Sequence, residues 1–589
     1  MTSDQIPDSI KGAQGLEDAL RNLRAKMATT PVLTPDKALA GMRVRKGLAV
    51  DLIAHEPTVR QPLYLSFDER GRLWVVQYRQ YPFPAGLKVV AYDRYIRAKF
   101  DKVPPPPPDH FPGVDRITIH EDVKGDGSYS KVTTFLDGLN IATAALVGRG
   151  GVWVLNPPYL LFYPDPKGTD VAARPVVHLS GFGLEDTHSV ASSLCWGPDG
   201  WLYGAHGSTV TAKVKVEVTG DKTTTDFLGQ AIWRYHPEKH TFEVFAEGGG
   251  NTFGVAFDDV GRVYSGTNWG KYRGLHYVQG GYYIKGWGKH GPLTNPYALG
   301  YFDHMPHVGD ADRLTHTFIV YGGVALPELQ GKVVGVNALQ KRLQVTRLIP
   351  DRSTFRTEEE PFLLTTDDER FRPVDVKAGP DGALYVADLY EPRINPVDPR
   401  DNWDRATGRL YRVRPSNYKP APRQDLAAMT SEQLLGLLRH EDRWYRDMAR
   451  RVLGDRKDEA GGGGIEDLGR CGARPPRAGG PVGVPRLVRT ERRHGTHRPG
   501  PPQPTRPPLD GAAGRRPVPR VGGRRPEARR AGQEGTRRRG SEPARQYGKA
   551  LARRRGAADP DRPVDPRRGR ARPTHPSPYL VGAGGEGRV

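Results

Sequence analysis

Short runs of apolar residues alternate with polar turns over most of the chain between residues 48 and 415. The runs are about five residues long and rich in Val, Tyr, Trp and Phe, and Gly, Asp and Pro separate them. Because β-branched and aromatic side chains suit a pleated, half-buried surface, such runs favour β-strands over helices. The pattern therefore predicts an all-β fold for this region.

One local unit recurs within the region: a turn containing glycine, followed by an aromatic or β-branched strand. The glycines that mark the six copies are Gly71, Gly151, Gly200, Gly261, Gly331 and Gly382. A single hairpin cannot bury its own apolar face, so repeated hairpins predict repeated sheets that pack on one another. We expect a six-bladed β-propeller with four strands in each blade. A β-sandwich or a solenoid is the alternative, but a sandwich rarely repeats one hairpin signature six times.

The two ends of the propeller region are expected to pair with each other. Residues 48–53 and residues 410–414 both have strand character, and their pairing would hide both edges of the last sheet. Residues 92–115 are interpreted as a loop inserted into the first blade, with prolines 104–108 forming an extended polyproline II spacer.

The apolar periodicity changes to a helical one after the propeller region. Residues 431–455 predict two short helices whose apolar faces include Leu434, Leu438, Met448 and Val452. We expect four segments along the chain. They are an N-terminal arm at residues 1–45, the propeller at 46–416, a short α-helical fragment at 417–458 and a disordered tail at 459–589.

The tail carries almost all of the positive charge of the protein. The 589 residues include 88 Lys and Arg and 67 Asp and Glu, a formal charge of +21. Residues 461–589 hold 29 Arg and 1 Lys against 11 acidic residues, which leaves about +2 for the body. The tail is dominated by Arg, Gly and Pro, whose codons are GC-rich, so an out-of-frame segment is favoured. A genuine disordered tail that binds nucleic acid is the alternative.

Cysteine usage and hydropathy limit the other classes of function. Cys195 and Cys471 have no motif spacing, so no disulfide framework, zinc cluster or CxxCH haem site is expected. No apolar run is long enough to span a membrane. The N-terminal residues MTSDQIPDSI lack the apolar core of a signal peptide, and the compartment stays open.

Polar residues precede four of the repeated hairpins. In a propeller, the segments that lead into the innermost strands meet at one rim of the central channel, where they can form a pocket. The candidates are Asn140, His188, Asn251, Arg372 and Asp375. His188 is the candidate base, because the ordinary pKa of histidine lies near neutrality. The alternative is that these side chains cap strands and satisfy loop backbone.

Two further segments have a composition typical of ligand sites. Residues 266–310 are dense in aromatic residues, glycines and four histidines, and would form either a pocket-lining loop or a structural loop between blades. Residues 122–128 resemble the start of a calcium loop, but Lys124 replaces a carboxylate and Thr133 stands where a glutamate is needed. We interpret them as a β-turn, and no metal ligands are predicted.

Several long motifs of the chain resemble one bacterial family. The motifs are GGGNTFGVAFD, YRGLHYVQGGYY, KGWGKHGPLTNPYALGYF, FRPVDVKAGPDGALYVADLYEP and TGRLYRV. They look like the planctomycete-type (PVC-type) membrane-bound dehydrogenases, which are related to the soluble quinoprotein glucose/sorbosone dehydrogenases. The resemblance covers about residues 40–455. It implies a propeller, then HEAT-like helical repeats, of which residues 431–455 would be the first, and a cytochrome-c-like domain that has no counterpart here.

The resemblance also implies a chemistry and its site residues. It suggests oxidation of a sugar or other alcohol by pyrroloquinoline quinone (PQQ) with Ca²⁺, and a histidine before a GPDG hairpin that takes the hydroxyl proton. His188 matches that histidine, with Ser189 as the alternative position, and Asn251 matches the asparagine of a cofactor-binding Arg-Asn pair. Arg372, Asp375 and Asn140 would be further cofactor contacts, and either Arg372 or Arg393 would supply positive charge.

Electrons would leave to an acceptor, such as a separate cytochrome, because this chain carries no haem motif. Relatives of this type are mostly periplasmic or exported. The rival hypothesis is a propeller without catalytic activity that binds a carbohydrate or a protein partner. No specific nucleic-acid partner is expected.

Overall fold

The computed structural model describes six stretches of the chain, residues 30–93, 97–285, 300–309, 317–393, 403–419 and 423–457. Three α-helices lie within them: α1 (Pro35–Ala40), α2 (Ser431–Leu437) and α3 (Arg443–Arg456). The tail predicted at residues 459–589 lies outside the described residues. All other long elements are strands, so the predicted all-β character of the main region is confirmed.

The strands follow one another closely along the chain. The first half contains β1 (Arg43–Val44), β2 (Leu48–His55), β3 (Pro62–Phe67), β4 (Leu73–Gln77), β5 (Val89–Tyr92), β6 (Ala98–Phe100), β7 (Asp115–Glu121), β8 (Lys131–Leu139), β9 (Ala144–Val147), β10 (Gly151–Asn156), β11 (Tyr159–Pro164), β12 (Val176–Phe182), β13 (Ser192–Trp196), β14 (Leu202–His206) and β15 (Thr211–Val216). The second half contains β16 (Thr224–Leu228), β17 (Ala231–His236), β18 (Thr241–Glu247), β19 (Ala256–Phe257), β20 (Val263–Ser265), β21 (Leu275–Tyr277), β22 (His307–Val308), β23 (Phe318–Val320), β24 (Val333–Asn337), β25 (Arg342–Asp351), β26 (Thr354–Glu359), β27 (Leu364–Thr365), β28 (Pro373–Ala378), β29 (Leu384–Asp388) and β30 (Arg409–Pro415).

These strands form a propeller-like arrangement of antiparallel sheets. Five sheets have four or more strands: β3-β4-β7-β8, β9-β10-β11-β12-β15-β16, β13-β14-β17-β18, β28-β29-β30-β2, and the sheet built around β23-β24-β25 with β26, β27, β1 and β22. The innermost strands β28, β3, β9 and β13 contact one another in sequence, and β19, β23 and β28 continue that contact. The channel of the propeller lies inside these strands.

The prediction of six blades is wrong: within the described residues the structure has five. The repeat marked by Gly261 forms β19-β20-β21, a sheet that reaches only three short strands within the described residues. The backbone within this sheet is closely packed at Gly274. A Cβ atom on Gly274 would lie 2.4 Å from the carbonyl oxygen of Ser265 and 2.8 Å from the ring of Phe318, so the backbone comes very close to its neighbours here.

The expected ring closure is confirmed. Strand β2 pairs with β30 in antiparallel fashion, with Leu48 opposite Pro415 and Val50 opposite Val413. The first and last parts of the propeller region therefore share one sheet, in which β2 is the outer edge strand. The insertion is also where it was predicted, between β4 and β7, and contains the hairpin β5-β6.

The second strand of each large sheet is buried at every position. This holds for β4, β10, β14, β24 and β29. Each of these strands lies in a sheet that is covered on both faces by neighbouring sheets, so both sets of alternating side chains are apolar. This explains why the sequence shows continuous apolar runs there.

A carboxylate in the tight turn holds each of four hairpins. In the turn before β29, Asp381 accepts the backbone N–H of Ala383 at 3.1 Å and the hydroxyl of Tyr385 at 3.0 Å. The same type of contact joins Asp68 to Trp74, Asp199 to Tyr203 and Asp258 to Tyr264. One side chain thus fixes both the turn and a large aromatic residue of the core.

Helices α2 and α3 pack on the face of the propeller that carries these turns. The N–H of Arg443 donates to the carbonyl oxygen of Gly322 at 2.9 Å, and its guanidinium donates to the carbonyl oxygen of Val320 at 2.6 Å. Arg451 pairs with Glu69 at 2.5 Å. The two predicted helices are therefore present. One helical pair does not identify a HEAT repeat, and that part of the prediction is not supported.

No helix of the described stretches is both long enough and apolar enough to cross a membrane. The longest, α3, has 14 residues and is rich in arginine. The predicted boundary between the propeller and a helical domain near residue 416 stays a prediction.

We expect alanine substitutions at two turn glycines to distinguish the cost of backbone strain from the cost of a steric clash. Gly382 has φ of +71°, and a Cβ atom there would lie 2.8 Å from the nitrogen of Ala325, so Gly382→Ala brings both backbone strain and a clash. Gly331 has the same φ of +71° but open space around it, so Gly331→Ala brings the strain alone. Gly331→Ala should cost about 1–2 kcal/mol of the free energy of unfolding, and Gly382→Ala clearly more. Denaturant unfolding measures both values, and equal losses would contradict this account.

Candidate active site

A cavity of about 260 Å³, here called the axial cavity, lies where the segments that precede the innermost strands meet. Its lining contains polar residues from several sheets together with aromatic side chains. The residues that matter for its chemistry are Asp186, His188, Asn251, Asp375 and Arg393, and the aromatic residues Tyr78, Tyr81, Phe253 and Trp403. The structure thus brings His188, Asn251 and Asp375 together at one cavity.

The turn that carries His188 is fixed by its own acidic residue. Asp186 accepts the backbone N–H of His188 at 3.1 Å with one carboxylate oxygen, and the hydroxyl of Thr209 with the other. The backbone N–H of Ser189 donates to the carbonyl oxygen of Asp186 at 2.8 Å. The position of the imidazole therefore depends on a closed set of hydrogen bonds within one short turn.

Two tyrosines of the segment after β4 hold the same turn from the other side. The hydroxyl of Tyr78 donates to the carbonyl oxygen of Thr187 at 2.9 Å, and the hydroxyl of Tyr81 lies 3.1 Å from Nδ1 of His188. The two tyrosine rings stack at 5.2 Å. Burial raises the pKa of both hydroxyls well above the ordinary value, so both keep their protons.

Asn251 lines the cavity next to His188 and is itself hydrogen-bonded to the scaffold. Its side-chain oxygen accepts the N–H of Ser208 at 2.9 Å, and its backbone N–H donates to the side-chain oxygen of Asn268 at 3.1 Å. The side-chain oxygen of Asn251 is therefore fixed by a contact with the scaffold.

Asp375 forms part of the floor of the cavity. One carboxylate oxygen accepts the N–H of Leu65 at 2.8 Å, and the other lies 2.6 Å from Nζ of Lys377. Burial raises the pKa of Asp375, and the ammonium group of Lys377 opposes that rise. Because both oxygens already have partners, we expect Asp375 to shape the floor and its charge rather than to bind a ligand directly.

The floor separates the axial cavity from a larger one on the opposite side. That second cavity has a volume of about 1500 Å³ and lies among the hairpin turns, under α3. Tyr64 lines both cavities, and its ring lies 4.8 Å from Nζ of Lys377. Asp375, Lys377 and Tyr64 thus block the channel between the two cavities.

Asn140 does not reach the axial cavity, contrary to the prediction. Its amide nitrogen donates to the carbonyl oxygens of Ala85 and Phe111 at 3.1 and 3.2 Å, and its oxygen accepts the N–H of Ala85 at 2.9 Å. Every polar atom of the side chain is used to hold the inserted segment to the sheet that begins with β9. Asn140 is therefore structural, as the alternative interpretation proposed.

Arg372 is also placed away from the cavity. Its guanidinium donates to the carbonyl oxygens of Ala338, Phe371 and Pro392 at 3.0–3.2 Å, and burial lowers its pKa. Its backbone N–H donates to Asp388 at 2.7 Å. The arginine serves the loop backbone and does not line the axial cavity, and its role as a cofactor contact stays a prediction.

The positive charge of the cavity comes from Arg393 instead. This arginine is 2% exposed, lines the axial cavity and stacks 4.4 Å from the ring centre of Trp403. Its neighbour Glu391 accepts the N–H of Asp404 at 2.9 Å, and burial raises the pKa of Glu391 to about 7. Arg393 follows β29 rather than preceding an innermost strand, so position before a hairpin did not identify it, and the family resemblance offered it only as the alternative to Arg372.

The two segments with possible ligand composition contribute little. The turn at residues 122–128 is closed by its own bonds, since Asp122 accepts the N–H of Gly127 at 2.9 Å, in agreement with the β-turn interpretation. Of the segment 266–310, Asn268 lines the axial cavity, while residues 286–299 lie outside the described part. Among the described residues, no group of three or more His, Cys, Asp or Glu is arranged to hold a metal ion.

The comparison with sequence families gives one match. Residues 34–417 match the family described as "Domain of unknown function (DUF7133)". The chain belongs to this family. The DUF7133 domain spans the propeller almost completely, from α1 to just beyond β30, and so contains every residue of the axial cavity. No functionally curated protein shows significant sequence similarity to the chain.

Solved structures similar to the DUF7133 domain include sugar dehydrogenases. A glucose dehydrogenase-type oxidoreductase of Thermus thermophilus is 18% identical, with a TM-score of 0.37, over 62% of this chain and 100% of that one. A PQQ-bound aldose sugar dehydrogenase of Streptomyces coelicolor is 14% identical, with a TM-score of 0.36, over 63% and 99%. The PQQ domain of a pyranose dehydrogenase of Coprinopsis cinerea is 12% identical, with a TM-score of 0.38, over 63% and 97%. These scores are too low to carry an argument about the activity of this chain.

Substitution of Asp388 should change how stability depends on pH. This buried carboxylate accepts the N–H groups of Arg372 and Tyr390 at 2.7 and 2.8 Å, and burial raises its pKa to about 7. Since the folded state holds this proton more tightly than the unfolded state, the contribution to stability falls as the pH rises from about 4 to about 7. Asp388→Asn removes that titration. Between about pH 5 and pH 8, the unfolding free energy of the wild type should therefore fall by roughly 2–4 kcal/mol more than that of the variant.

Urea unfolding across this pH range measures the effect. Asp226→Asn, which removes an exposed carboxylate on β16, is the control and should leave the pH dependence as it is. An unchanged pH dependence in Asp388→Asn would contradict the placement of this carboxylate in a dry interior.

Proposed function

We propose that the axial cavity is the active site of a quinoprotein-type dehydrogenase that oxidises a sugar or another alcohol. The observation that carries the proposal is the position of His188, a histidine fixed on both sides of its turn and lining a cavity with amide and aromatic groups. Such a histidine suits proton abstraction from a hydroxyl group, since its ordinary pKa lies near neutrality.

Different lining residues would contact different parts of a polyhydroxylated substrate. The amide group of Asn251 donates hydrogen bonds, and the rings of Tyr81 and Phe253 offer apolar faces against which a sugar ring can pack. The ring of Phe253 lies 6.0 Å from that of His188 at an angle of 76°. His188 would take the proton of the hydroxyl that is oxidised, and the fixed turn keeps the imidazole in place while it does so.

Two of the lining residues suit a planar, carboxylated quinone such as PQQ at one end of the cavity. Arg393 would hold a carboxylate, and Trp403, which stacks on Arg393, would offer a flat apolar surface to the ring system. When bound, the quinone would supply the acceptor for the hydride of the alcohol, while the protein supplies orientation and electrostatics. Calcium stays a prediction, with no ligands assigned to it.

A second candidate function is favoured by the charges of the lining. Among the described residues, the axial cavity has one cation, Arg393, and two carboxylates, Asp186 and Asp375. This balance suits an uncharged polyol better than a ligand with several carboxylates. Binding of a carbohydrate without oxidation is therefore the alternative.

Reconstitution with PQQ and Ca²⁺ tests the two candidates together. Dye reduction is followed with a panel of aldoses, and sugar binding is measured by calorimetry. We expect His188→Ala to lower kcat by about 10²–10⁴-fold, because it removes the base but no part of the fold. His55→Ala, which removes an exposed histidine at the end of β2, is the matched control and should retain full activity.

The possible results separate the hypotheses. If PQQ does not bind but an aldose does, the quinoprotein proposal fails and the carbohydrate-binding alternative stands. If dye reduction survives in His188→Ala, only the role of His188 as the base is wrong. The electron acceptor would be a separate molecule, such as a cytochrome, which dye reduction replaces in this assay.

A further inference from the structure

The contact between Tyr81 and His188 has a consequence for the proton on the imidazole. The hydroxyl of Tyr81 lies 3.1 Å from Nδ1, and among the described residues this nitrogen is the one partner of that hydroxyl. The tyrosine itself is held firmly: it is 8% exposed, stacks on Tyr78 and makes an edge contact with Trp403 at 4.7 Å. Its main chain is tied as well, since its carbonyl oxygen accepts Nε–H of Arg405 at 2.9 Å.

Two arrangements of protons are compatible with this distance. In the first, the hydroxyl of Tyr81 donates to Nδ1, and the neutral ring of His188 carries its proton on Nε2. In the second, the ring carries its proton on Nδ1 and donates it to the hydroxyl oxygen of Tyr81, while the hydroxyl proton turns to another acceptor. Only in the second arrangement can Nε2 accept a proton from a substrate.

The surroundings favour the first arrangement in the absence of a ligand. Burial raises the pKa of Tyr81, and the nearby carboxylates Asp186 and Glu391 add to that rise, so the hydroxyl stays a donor. Nδ1 is the acceptor that the described structure offers to it. A buried hydroxyl group whose proton has no acceptor lowers the stability of the folded state by about 1–3 kcal/mol.

We infer that Tyr81 is a positioning residue that fixes the ring of His188 through Nδ1 and places its proton on Nε2 while the cavity holds no ligand. The inference rests on the proposed function in assigning His188 to proton transfer. It adds that the base becomes competent only when the hydroxyl of Tyr81 turns to an oxygen of the ligand. The ring then releases a proton from Nε2 to water and takes one from water at Nδ1, so no net proton is taken up in the switch.

The charged groups around the pair belong to several elements. Asp186 lies in the turn of His188 itself, Asp375 in β28 forms the floor, and Arg393 and Glu391 follow β29. The carboxylates and the guanidinium oppose one another near the ring. The hydrogen bond to Nδ1, rather than net charge, therefore decides which nitrogen carries the proton.

Nitrogen-15 NMR of the full chain, labelled at histidine and free of cofactor and sugar, tests the inference directly. The signals of His188 are assigned by their loss in His188→Gln. At about pH 8, we expect Nε2 to carry the proton and the Nδ1 signal to be displaced by its hydrogen bond. In Tyr81→Phe, that displacement should be lost, and a fraction of rings with the proton on Nδ1 should appear.

Tyr321→Phe is the matched control, since it removes a buried hydroxyl outside the axial cavity that donates to the backbone carbonyl oxygen of Gly382 and not to the imidazole. It should leave both nitrogen signals of His188 unchanged. A wild-type ring with its proton on Nδ1, or identical His188 signals in wild type and Tyr81→Phe, would overturn the inference. Because no PQQ or sugar is present, a failure of dye reduction would leave this result as it stands.

Discussion

The carboxylates in four of the hairpin turns make the contacts on which this propeller depends most. Asp381 and its counterparts accept a backbone N–H of the turn and a polar group of an aromatic side chain. Neighbouring sheets of a propeller must be aligned with one another along the channel. Such a contact links the turn to the aromatic core residue that packs between two sheets. The aromatic pair of Phe67 and Tyr385, 5.0 Å apart, shows this coupling between the first and the last sheet.

With the turns fixed on one face, the segments on the opposite face are held where they can build a site. His188 and Asn251 come from loops that enter different sheets, yet both reach the axial cavity because their strands converge on the same channel. The turn face is used differently. It carries α3, whose arginines donate to backbone carbonyls of the sheets, and it is separated from the axial cavity by Asp375 and Lys377.

The sequence predicted the architecture better than the site. The repeated glycine turns and the strand patterns were sufficient for the propeller, the ring closure and the inserted loop, because these depend on local periodicity. The number of blades was wrong, since the hairpin marked by Gly261 has the local signature but a short, glycine-rich continuation. Position before a hairpin identified His188 and Asn251. It could not reveal that the polar side-chain atoms of Asn140 and Arg372 form hydrogen bonds with nearby backbone groups. The roles of Tyr81 and Arg393 depend on contacts between distant segments, which no local pattern contains.

The account rests on one claim, that the axial cavity is where this protein binds its ligand. A crystal structure of the chain grown with PQQ and an aldose measures this most directly. The account predicts density inside the cavity, with a sugar hydroxyl within hydrogen-bond distance of His188 and a carboxylate of the quinone against Arg393. Clear density for either molecule at another place, with the axial cavity holding only water at saturating concentrations of both, would contradict it.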